Sequence, residues 1–88
     1  MSAFTIFNNG VHAPSVAVRY IDEHGVEVTA NVAPNERRVT KGIQLVSVVA
    51  VRHGDQAAQH TNHNHLNERV LEITNGPGPL LGLNWLQA

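Results

Sequence analysis

Apolar and polar residues alternate along most of this chain with a period of two, the pattern of half-buried β-strands rather than of helices. Val16, Val18 and Tyr20 share one side of an extended segment against Ala17, Arg19 and Ile21, and Val26, Val28, Ala30 and Val32 alternate with Glu27, Thr29 and Asn31. Between these two segments lies Asp22-Glu23-His24-Gly25. The Asp can bond the turn backbone and the Gly can take positive φ without a steric penalty, so the pair reads as a β-hairpin.

The same rhythm predicts strands over Ala3–Asn8, Arg37–Thr40, Ile43–Val51, Glu68–Thr74 and Leu80–Leu86. Turn chemistry separates them at Asn9-Gly10, Pro14, Pro34-Asn35, Lys41-Gly42, His53-Gly54-Asp55 and Asn75-Gly76-Pro77-Gly78-Pro79. Short strands with frequent turn signals imply an all-β domain, a small antiparallel β-sandwich of about seven strands, with a small barrel as the alternative. Ile43–Val51 is apolar at nearly every position except Gln44 and Ser47, which predicts a central strand covered on both faces or lying at a subunit contact. Only Asp55–Asn67 fails to alternate; it reads as a long polar His/Asn-rich loop, with room for one helical turn at Gln56–Gln59.

Length and composition narrow the class further. At 88 residues, 42% hydrophobic and 15% charged, the chain suits one domain with one core and is too apolar to be disordered. It has no cysteine, which removes disulfides, thiol nucleophiles and thiolate metal sites from consideration. Together with an opening that lacks a basic, signal-like segment, this predicts a cytoplasmic chain. The longest apolar stretch, Val46–Val51, is far shorter than the roughly 20 residues of a membrane span. A formal charge of −1 supplies no broad positive field, so nucleic acid is not an expected partner. The one basic cluster, Arg37, Arg38 and Lys41, reads as a solvated strand end. Protonation of all six histidines would move the charge from −1 to +5, so association should respond to mild acid.

Candidate chemistry is sparse. His60, His63 and His65 form H-x-x-H-x-H, and neutral imidazoles on one loop can surround a zinc or nickel ion, although no carboxylate lies inside the cluster. No cofactor other than such a metal is expected. Asp22, Glu23 and His24, or His53 and Asp55, contain the parts of an acid/base pair, but turn formation accounts for both, and no serine sits in a nucleophile-elbow pattern. An enzyme is therefore not the expected reading. Carbohydrate binding would need aromatic platforms, and Phe4, Phe7, Tyr20 and Trp85 are the full aromatic inventory. Phe4 and Phe7 have opposite strand parity, so at least one of them can face outward, although core packing is the default for all four aromatics.

The tail carries the strongest interaction signal. Leu80, Leu81, Leu83, Trp85 and Leu86 make an apolar segment that must either close the fold or present a sticky edge to a neighbour. The expectation is a non-enzymatic module that binds a protein partner, copies of itself included, as a homo-oligomer, with metal binding and carbohydrate binding as alternatives. The successive segments IFNN, VAVRYIDEHG, APNERRV, VRHGD and NERVLEITN resemble the β-domain of the von Hippel-Lindau tumour suppressor and related β-sandwiches. That resemblance implies a sandwich with a peptide-binding habit. It does not imply hydroxyproline recognition, because Tyr20 stands where the family has a Trp, and Ala30, Gln44 and Val46 match its pocket Tyr, His and second Trp. The family's separate helical domain has no counterpart in these residues.

Overall fold

The computed structural model describes residues 4–52, 55–60, 69–76 and 81–87. Among them every regular element is a strand: β1 (Thr5–Asn8), β2 (Val16–Asp22), β3 (Glu27–Val32), β4 (Arg37–Val39), β5 (Gly42–Arg52), β6 (Asp55–His60), β7 (Arg69–Asn75) and β8 (Leu81–Gln87). No helix among the described residues is long and apolar enough to cross a membrane. The strands form two open four-stranded sheets, β4-β1-β7-β8 and β3-β2-β5-β6, here called sheets A and B.

Sheet B is antiparallel throughout and grows from turn chemistry. Asp22 Oδ1 accepts from the backbone N–H groups of His24 (2.8 Å) and Val26 (3.0 Å), and Gly25 takes φ of 78°, closing the β2–β3 hairpin where the sequence places it. Strand β5 pairs with β2 on one side and β6 on the other. The β2–β5 register passes from Arg19↔Ser47 to Tyr20↔Leu45, leaving Val46 as the extra residue of a bulge. As expected of a central strand, β5 sends Leu45, Val48 and Ala50 into the core; Ser47, which the register sets on the opposite face, is buried as well.

Sheet A is built differently. Here β1 is the centre, antiparallel to β4 (Phe7↔Arg37) and parallel to β7 (Phe7↔Glu72), and β7 carries β8 as an antiparallel neighbour. A parallel pair needs a long crossover, and the whole of sheet B lies in the chain between β1 and β7.

Alternate residues of both sheets meet in one core cluster that includes Phe4, Ile6, Val16, Val18, Leu45, Val48, Leu71 and Ile73. Phe4 ties the cluster together, with its ring edge-on to Tyr20 of sheet B at 5.7 Å and to Trp85 of sheet A at 5.5 Å. A Cβ on Gly42 would lie 2.5 Å from the Phe4 ring and 2.8 Å from Tyr20, so glycine is what lets both rings close over the start of β5. Thr40 Oγ1 donates to Phe4 O (2.6 Å) and accepts from Gly42 N (3.0 Å), holding the Phe4 backbone in place. At the other end of β1, buried Asn8 donates through Nδ2 to Val32 O of β3 and accepts at Oδ1 from Val11 N, satisfying its amide while linking the sheets.

Three expectations are corrected. Asp55–His60 is not the beginning of a loop or a helical turn but strand β6, paired across six positions with Ser47–Arg52, which brings the described strands to eight beside the about seven expected. Its residue types favour no strand; a long β5 with an open side supplies the pairing that local propensity does not. The sheets are not uniformly antiparallel, since β1 and β7 run parallel. Among the described residues neither sheet closes on itself, so the barrel alternative falls.

Candidate functional site

Of the residues that the sequence singles out, some lie within the described part of the structure and some outside it. His60 is the last residue of β6, in register with Ser47, while His63 and His65 lie outside the described residues. No group of three or more His, Asp or Glu side chains able to hold a metal occurs among the described residues. Asp22 is committed to its turn, and the backbone N–H of Val26 holds its carboxyl below the usual carboxylate range, with the His24 N–H and imidazole adding to the effect. Glu23 lies beside the His24 imidazole (3.5 Å) and Lys41 (3.7 Å) on the surface. His53, the other imidazole considered for acid/base work, lies outside the described residues.

The basic cluster also disperses. Arg38 pairs with Glu36 at 2.8 Å, Lys41 approaches Glu23, and the Arg37 guanidinium lies over the Phe7 ring, 4.2 Å from its centroid. Glu36 in turn accepts from Ala33 N, and that bond, ahead of the one from Arg38, holds its carboxyl below the ordinary range. These are local contacts of separate turns, not a converging anion site.

The apolar tail divides between two faces. Leu81 is buried, Leu83 and Trp85 pack against the core cluster, and Leu86 points the other way at 42% exposure. Leu80 lies outside the described residues. Strand β8 forms one edge of sheet A and, among the described residues, pairs only with β7.

The outer face of sheet A holds the arrangement that sequence reasoning missed. Phe4 is inside and Phe7 is outside, half-buried, as their opposite parity allows. Cross-strand register then sets Arg37, Phe7, Glu72 and Asn84 in one row across all four strands. Glu72 accepts from Asn9 Nδ2 at 3.1 Å and Asn84 Nδ2 at 3.3 Å. A neighbouring row runs Val39, Thr5, Val70 and Leu86, with Val39 83% exposed. The outward parity of Glu72 between Leu71 and Ile73 is visible in the sequence; its position two strands from Arg37 is not. Compared with protein-family models, curated proteins and solved structures, the chain matches none.

Proposed function

We propose that the chain is a non-enzymatic binding and assembly module, its two sheets stacked as a β-sandwich, that takes up an extended strand from a protein partner, a copy of itself included, along the β8 edge. The observation that carries this reading is the contrast between the two edges of sheet A. Strand β4 is three residues long and carries Arg37 and Arg38, features that discourage further pairing. Strand β8 has seven residues, LGLNWLQ, with no charge and no proline. Its main chain offers a ladder for β-addition, and Leu86 offers an apolar contact on the outward side.

Light scattering on a sizing column, from low to high micromolar protein, tests the reading. The average mass should rise with concentration, and Leu86→Lys, which places a charge on the edge at an exposed position, should lower it without altering the fold. A chain that stays monomeric throughout, or an L86K variant that associates like the parent, overturns it.

A further inference from the structure

The outer face of sheet A is complementary to itself in charge. Reading across the strands, Arg37 on β4, Phe7 on β1 and Glu72 on β7 present a cation, an aromatic ring and a carboxylate in sequence. Neighbouring strands lie about 4.8 Å apart, so the two charges sit roughly 10 Å from each other on either side of Phe7. A two-fold axis lying in the face and running along β1 maps each position on one side of Phe7 onto its mirror position in the other copy. Arg37 then meets the second copy's Glu72, Glu72 meets its Arg37, and the Phe7 rings meet at the centre. The same operation lays Val39, 83% exposed, over the second copy's β7 strand, removing a large apolar side chain from water.

We propose that this face binds a second copy of the chain as a two-fold dimer held by two Arg37–Glu72 pairs around Phe7. The inference rests on the reading of the chain as an assembly module and adds a surface distinct from the β8 edge. The chemistry of both charges suits it. Among the described residues Arg37 makes no ion pair, and its guanidinium, over the Phe7 ring at 4.2 Å from the centroid, has N–H donors to offer a carboxylate. Glu72 accepts two amide bonds, which hold its carboxylate in position and leave lone pairs for the incoming guanidinium. The axis along β1 lays β4, β1 and β7 over the second copy, an overlap of about 14 Å across the strands and about 13 Å along the four residues of β1, roughly 190 Å² and small beside the roughly 800 Å² per partner of a standard interface, so the dimer should be a weak one.

The axis along β1 leaves β8 without a strand of the second copy opposite it, so Leu86, although on the outer face, lies beyond the contact, and charge exchange in the L86K background isolates this face from the edge. The L86K chain should still dimerise in sedimentation velocity at high micromolar concentration, and Arg37→Glu or Glu72→Arg should each weaken that dimer at least tenfold by facing like charges across the axis twice. Mixing the two weakened chains should restore dimerisation, because both contacts in the mixed pair become attractive, and the double exchange R37E/E72R should restore it within one chain. A variant that merely misfolds cannot rescue another, so the mixture separates loss of contact from loss of fold. An L86K chain that is monomeric, or one whose dimer ignores the exchanges, overturns the face and leaves the edge reading standing. If the parent chain itself never associates, both fall.

Discussion

Sheets A and B have the same number of strands and share one core, yet they are assembled by opposite means. Sheet B is made of antiparallel pairs, two of which, β2–β3 and β5–β6, join neighbours in the chain. Sheet A has one such pair, β7–β8; its centre joins β1 to β7 in parallel, with Thr5 opposite Val70. The surfaces proposed for recognition, the β8 edge and the Arg37–Phe7–Glu72 row, both belong to sheet A. Neighbour pairings are specified by their own turns, whereas surfaces that combine distant strands come into being only when the core closes.

The largest effect should come from Phe4, which touches both sheets. Phe4→Ala is expected to remove about 3–5 kcal/mol. Trp85 fluorescence, reporting sheet A, and far-UV circular dichroism, reporting both sheets, should give coincident urea transitions, displaced together in the variant. Two separated transitions would mean that the sheets are independent units and would break the comparison at its premise.

Gly25 tests the hairpin of sheet B alone. A Cβ at Gly25 meets nothing within 4 Å, so Gly25→Ala is opposed only by the positive φ, about 1–2 kcal/mol. Hydrogen exchange should quicken first in β2 and β3 amides, ahead of those shared by β1 and β7. Equal acceleration in both sheets would show that the hairpin is not a local unit.

Acid below the ordinary carboxylate range should have the smallest effect of all. Asp22 and Glu36 have folded-state values lowered by backbone N–H donors, so the stability they contribute is present above the ordinary carboxylate range and is lost as pH falls through their lowered values. Both are partly exposed to solvent, which keeps the contribution small. Asp22→Asn should flatten the acid limb of a melting-temperature profile for the β2–β3 hairpin; an unchanged limb would remove the turn carboxylate from the account.

Much of the strand content is legible in the sequence, for identifiable reasons. Val16 to Val32 alternates cleanly around a turn whose Asp and Gly each have a defined task, and the hairpin forms there. The opposite parity of Phe4 and Phe7 leaves room for one ring outside, but the default of core packing for every aromatic holds for Phe4 and not for half-buried Phe7. Strand β6 was hidden because Gln56, Ala57, Ala58 and Gln59 show no apolar alternation; its pairing is supplied by the backbone of β5. The tail residues Leu83 and Trp85 look like an interface in one dimension and pack against the core in three, so only Leu86 of that group carries the edge test.

By itself, then, the sequence determined that the alternating segments extend, where the β2–β3 turn falls and which side of each alternating strand is apolar, because each of these is set by residues within a few positions of one another. Only the tertiary structure decided that β1 lies between β4 and β7, that β6 exists, and that Arg37, Phe7 and Glu72 stand in one row. Backbone pairing is nearly indifferent to side-chain identity, so the choice among partners is made by the common burial of Phe4, Ile6, Leu71 and Ile73 against sheet B, a contact that no stretch of the chain contains on its own.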